Sequence, residues 1–131
     1  KRNREYTKNM DIILCEPIIR FFGNLVCNVN DNKMSVLLQN GLIDVLYPFL
    51  NNHSCNIRRQ TLWLLSNILT GNASQIQYII TRINIIKMII YLCQNDIISV
   101  KNEAAWCLSN ALLSCVNFQI KKLVDYGIIN A

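Results

Sequence analysis

Trp63 and Trp106 each stand four residues before an asparagine, Asn67 and Asn110, and the two pairs lie 43 residues apart. Residues i and i+4 share one face of a helix, one turn apart, so each indole sits beside its carboxamide. An indole face takes the aliphatic stem of a lysine or arginine and attracts its cation. An asparagine offers both a donor and an acceptor, enough to bind the two polar groups of one peptide unit. Glu103, three residues before Trp106, adds a charge of opposite sign for a basic ligand. Gln60 holds the same place before Trp63, and one period earlier Asn24 recurs with Arg20 in the tryptophan position. A ladder of this composition suits an extended peptide with long basic side chains. Alone, a Trp in a helix reads as core and an Asn near its end as a cap. Two pairs in register, both off the apolar stripe, favour a ligand groove.

The elements that carry these residues repeat as well. IRRQTLWLLSN (57–67) and VKNEAAWCLSN (100–110) share the 43-residue period, and Gly41 and Gly127 lie 86 apart with Asn84 midway. A fixed period of this length marks stacked repeats. Apolar residues recur at intervals of three and four: Ile57, Thr61, Leu64, Leu65 and Ile68, then Val100, Ala104, Cys107, Leu108 and Ala111. These are the core stripes of two helices, and neighbouring helices of this kind pack about 8–10 Å apart, placing the two indoles side by side. The repeat unit reads as three helices, near 32–40, 42–51 and 55–69, with Gly41 ending the first and Ser54 or Asn56 capping the third. The next unit covers 74–83, 85–94 and 100–113; a long helix near 11–27 precedes them and another near 118–126 follows. Strand propensity in Ile83–Tyr91 yields to this register, so the chain is expected to be all-α throughout. The expected division is a partial repeat over 8–30, full repeats over 31–73 and 74–115, and a partial repeat over 116–131. Both ends then fall in mid-repeat without polar caps, as in part of a longer array.

Composition removes other classes. With 52% hydrophobic and 16% charged residues the chain can bury a core and does not read as disordered. No apolar run reaches the ~20 residues that span a bilayer, and no signal-peptide pattern opens the sequence. The six cysteines form no CxxC pair and there is one histidine, so no metal or cofactor is expected. Free cysteines on apolar helix faces fit a reducing compartment. His53 has no partner at catalytic spacing and no glycine-rich phosphate loop occurs, so an enzyme is not expected. The net charge of +5 is scattered, apart from Lys1, Arg2, Arg4 and Lys8, rather than gathered in the stripe that nucleic acid prefers. RNA stacking on the indoles suits the asparagine ladder less well than a peptide backbone does.

The strings FFGNLV, IRRQTLWLLSNILTGNASQIQYII and VKNEAAWCLSNALLSCVNFQIKKLVDYGII resemble the armadillo repeats of the importin-α (karyopherin-α) family, over nearly all the sequence after Asp11. The resemblance implies a right-handed superhelical solenoid whose inner groove binds Lys/Arg-rich nuclear localisation signals, extended and antiparallel to the repeats. It further implies an importin-β-like carrier and an export receptor as partners of the whole protein, residence in cytoplasm and nucleus, and no membrane or direct nucleic-acid binding. The order Arg20, Trp63, Trp106 is similar to the family's minor site, near its carboxyl end. By that likeness Trp63, Asn67, Glu103, Trp106 and Asn110 match pocket residues, while Arg20, Asn24 and Val26 match the flank. Gln60 stands where the family usually has Glu, and Asn28 and Lys33 replace a Gly and a Thr in the loop after Val26, where family contacts use backbone carbonyls. Glu16, Asp31 and Glu103 are the acidic residues expected to offset the basic total at the groove. An armadillo scaffold of the β-catenin kind, docking acidic peptides, is the alternative; it prefers Lys or Arg where this sequence has Trp63 and Trp106.

Overall fold

A computed structural model describes the chain from Arg2 to Ala131, with side chains from Ile13 onward; the basic cluster at Lys1, Arg2, Arg4 and Lys8 lies outside the described side chains. Among the described residues there is no strand. Eight α-helices follow one another: α1 (Arg2–Asn28), α2 (Asp31–Gln39), α3 (Leu42–Leu46), α4 (Cys55–Ile68), α5 (Ala73–Ile80), α6 (Ile83–Asn95), α7 (Ile98–Ser114) and α8 (Asn117–Asp125). A 3-10 turn over Tyr47–Asn51 follows α3, and another over Ile128–Asn130 ends the chain.

The long helices α1, α4 and α7 pack side by side in that order, and α2, α5 and α8 form a parallel row beside them. The core lies between the rows. Every residue of the two expected apolar stripes, on α4 and α7, is buried, and Leu42, Leu46, Ile86, Ile89 and Leu123 close it from the other helices. Polar atoms inside are bonded: buried Thr61 donates to the Ile57 carbonyl at 2.7 Å, and the Cys107 thiol donates to the Leu62 carbonyl at 2.8 Å, tying α7 to α4.

Local signals explain most boundaries. Gly41 and Gly127 take φ of 90° and 98°, a left-handed conformation open to glycine. Ser54 rather than Asn56 caps α4, accepting from Ile57 N, and Asn30 and Asn72 cap α2 and α5 in the same way. Three expectations need correction. Asn84 is not the turn residue between the two glycines; it lies inside α6, which starts one residue before it without a left-handed residue. The second helix of the first unit breaks after Leu46, because Pro48 has no N–H to continue the ladder and the chain tightens to 3-10. The expected loop after Val26 shrinks to Val29–Asn30, since α1 runs to Asn28 and α2 starts at Asp31.

Among the described residues no single helix is long and apolar enough to cross a membrane; α5 and α6 pass that test only as a pair bent by 83°.

Candidate peptide-binding groove

The face shared by α1, α4 and α7 carries the residues that the 43-residue period singles out. Trp63 is 41% exposed and Trp106 64% exposed, although both belong to helices whose opposite face is fully buried. Large indoles left in solvent on a tightly packed stack need a reason, and their register supplies one. Asn67, Asn110, Gln60 and Glu103 are half-buried around them, and Arg20 and Asn24 are exposed on α1. Val26 departs from this set: its side chain is buried in the core, so only its main chain is left to face a ligand.

Each asparagine reaches back to the preceding long helix. Asn110 Nδ2 donates to the Ser66 carbonyl at 3.0 Å, and Asn67 Nδ2 lies 4.0 Å from Cys27 Sγ. A carbonyl acceptor fixes which end of the Asn110 amide faces α4. The carbonyl oxygen and the second N–H of Asn110 therefore stay available, which is the pair a peptide unit requires. Asn24 is placed differently, for its backbone carbonyl accepts from Asn28 Nδ2 at 2.7 Å.

Trp63 leans on α1. A Cβ added at buried Gly23 would meet the indole Cζ3 at 2.5 Å, so the ring rests directly on the glycine backbone. Gly23 is helical, and its value here is close approach rather than an unusual φ. One period on, Ser66 takes the same place in α4 and turns its hydroxyl onto the Trp63 carbonyl at 2.7 Å.

The charges sort by helix. On α1 the Glu16 carboxylate accepts from Asn56 Nδ2 of α4, and Asn56 in turn accepts from Arg59 at 2.8 Å. Asp31 sits apart from this face, at the start of α2, where it accepts from Asn72 at 3.4 Å. Among the described side chains, the acidic residues on the three long helices are thus Glu16 and Glu103, with Arg20 and Arg59 beside the former. At the amino ends of α4 and α7, Arg58 clamps Asp96 through two bonds of 2.8 and 2.9 Å while its third nitrogen holds the Asn52 and His53 carbonyls. The guanidinium hydrogen bond holds the Asp96 carboxyl below its usual range, and the same bond pushes Arg58 up. Burial, with a smaller contribution from Glu103, pushes the Cys107 thiol far up, and burial also raises Cys115. Neither thiol is a nucleophile at neutral pH.

The periodic signal missed the ties between repeats. Gln75 and Gln119 are almost fully buried and staple the row of short helices together: Gln75 Nε2 donates to the Asp31 carbonyl at 2.9 Å, and Gln119 Nε2 donates to the Ala73 carbonyl at 2.9 Å. Their carbonyl oxygens accept from the backbone N–H of Asn72 and Val116. A glutamine three residues after each helix cap was the available clue.

Comparison with known proteins agrees with this architecture. The Armadillo/beta-catenin-like repeat model matches residues 30–70. A designed armadillo repeat protein solved in complex with the peptide (KR)4 superposes with a TM-score of 0.77 at 24% identity, covering 87% of this chain and 46% of that one. A computationally designed armadillo repeat protein for modular peptide recognition gives 0.73 at 22% identity, over 86% of this chain and 46% of that one. The fold is therefore an armadillo-repeat solenoid. Within that class the sequence is similar to importin subunit alpha. It is 35% identical over 80 residues to importin subunit alpha-5 of Arabidopsis thaliana, covering 61% of this chain and 15% of the relative. It is 29% identical over 95 residues to the probable importin subunit alpha-A of Dictyostelium discoideum, covering 72% of this chain and 17% of the relative. The chain thus spans less than a fifth of the length of either relative.

Proposed function

We propose that the α1–α4–α7 face binds an extended, Lys/Arg-rich peptide of the nuclear-localisation-signal kind, with no chemical step. The observation that carries this reading is the pair of exposed indoles, Trp63 and Trp106, on neighbouring helices with an asparagine one turn beyond each. The indoles wall slots for aliphatic stems and favour a cation over their faces. Asn67 and Asn110 hold the peptide backbone, and Glu103 contributes charge. Gln60 supplies a neutral contact in place of an acid, which makes the slot beside Trp63 the weaker of the two. The similarity to importin subunit alpha supports a role as cargo adaptor, moving between cytoplasm and nucleus with an importin-β-like carrier and an export receptor.

The test is a fluorescence titration with a Lys-rich signal peptide, run beside an acidic peptide and a Trp63→Ala/Trp106→Ala double variant. Micromolar binding of the basic peptide, weakened at least tenfold in the double variant and by added salt, is the expected result. Tight binding of the acidic peptide with none of the basic one would overturn it in favour of a scaffold of the β-catenin kind.

A further inference from the structure

The long helix α7 ends differently from α4, its counterpart one repeat earlier. Seven residues beyond each tryptophan stand Thr70 and Leu113. Positions i, i+4 and i+7 lie on one helix face, so each continues the stripe that begins with the indole and its asparagine. After the turn that follows, the cap residues of α5 and α8 are Asn72 and Val116, and two residues further on stand Ser74 and Phe118. Three polar residues of the interior repeat are therefore Leu, Val and Phe in the next.

All six are exposed. Thr70, Asn72 and Ser74 stay exposed although α4 packs between α1 and α7, and α5 between α2 and α8. A neighbouring repeat on either side does not cover these positions. Leu113 at 83%, Val116 at 42% and Phe118 at 59% exposure thus owe nothing to the end of the stack. The exchange also gives up local bonds. Thr70 Oγ1 donates to the Asn67 carbonyl at 2.7 Å, and Asn72 Oδ1 accepts from Gln75 N at 3.0 Å. Leu113 and Val116 have no side-chain polar atom for either bond, and α8 starts without a side-chain cap. Apolar side chains that face solvent and displace a cap call for a compensating contact.

The groove supplies that contact. Side chains of an extended peptide point alternately to opposite sides of its backbone. A peptide held across α4 and α7 by Asn67 and Asn110 sends one set of side chains toward the indoles. The other set faces the carboxyl ends of the same helices, where Thr70 and then Leu113 stand. On the reading of the α1–α4–α7 face as a basic-peptide groove, we propose that its ligand carries a large apolar residue immediately beside the basic residue held at Trp106. Leu113, with Val116 and Phe118 beyond it, receives that side chain. Thr70 leaves the matching place beside Trp63 polar, so the preference belongs to one end of the groove.

Fluorescence titration of the full chain with two peptides tests this: Lys-Lys-Leu-Lys-Lys and Lys-Lys-Ser-Lys-Lys within identical flanks. The leucine peptide is expected to bind the wild type at least fivefold more tightly than the serine peptide. The triple variant Leu113→Thr/Val116→Asn/Phe118→Ser, which installs the residues of the interior repeat, is expected to bring the two peptides to equal affinity, with helical circular dichroism unchanged. Equal affinity in the wild type would overturn the apolar subsite and leave the basic groove standing, as would a leucine preference that survives in the triple variant. Binding of neither peptide by the wild type would remove the groove itself, and the subsite with it.

Discussion

At the residue scale, Gly23 and Trp63 act as one unit. The indole can lie where it does because α1 offers bare backbone beneath it, and a methyl group there collides with the ring. Gly23→Ala also replaces a residue that disfavours helices, so local propensity alone would make it stabilising by about 1 kcal/mol. We expect the opposite balance in function: the displaced ring weakens the basic-peptide titration at least fivefold, while Trp106→Ala in the same background still weakens it further. Equal binding by Gly23→Ala and the wild type would show that the ring position does not matter. The sequence made the two Trp–Asn pairs visible because they obey a period. It could not show the Gly23 contact, which depends on how closely α1 approaches α4. Nor could it show that Val26 turns inward, since an apolar residue at a helix end fits either side. The buried glutamines escaped for a related reason: a Gln near a helix start reads as a surface residue until a neighbouring helix covers it.

At the element scale, the clamp between Arg58 and Asp96 joins the amino ends of α4 and α7. It also explains why α7 begins at Ile98, two residues before the first apolar stripe residue. Asp96 accepts from Ile97 N at 2.7 Å while held by an arginine from the preceding repeat, so the start of the helix is set by a tertiary tie. The core stripes of α4 and α7 were legible from spacing alone, and the tie was not, because its partners lie 38 residues apart. Asp96→Ala is expected to cost about 1.5–3 kcal/mol, the range for hydrogen bonds to charged groups. The pH dependence has a definite sign. The carboxyl is held below its unfolded value of about 3.9, so its contribution is full above that pH and fades as pH falls through the lowered value. Thermal melts should therefore separate wild type from Asp96→Ala at pH 5 to 7 and bring them together under strong acid. A gap that stays constant down to pH 2 would assign the loss to packing instead of charge.

At the scale of the whole molecule, the repeat order was legible because periodicity survives where individual helix boundaries shift by a residue or two. The break at Pro48 and the placement of Asn84 within α6 were lost inside that average. The cross-repeat bonds have one more consequence. Cys107 to Leu62 spans 45 residues, Asn110 to Ser66 spans 44, and Gln119 to Ala73 spans 46. Closing each such loop carries nearly the same entropy wherever it lies in the stack, so joining one repeat to the next takes no longer reach at the end than at the middle. Folding is then free to begin wherever neighbouring helices make the most of that closure, which is α4 against α7, and to zip outward to α8. In stopped-flow chevrons, Leu65→Ala in α4 should slow refolding, whereas Leu123→Ala in α8 should mainly hasten unfolding. The reverse pattern would place the nucleus at the edge. If α4 and α7 meet first, the surface bearing both indoles is also the earliest part of the molecule to take shape.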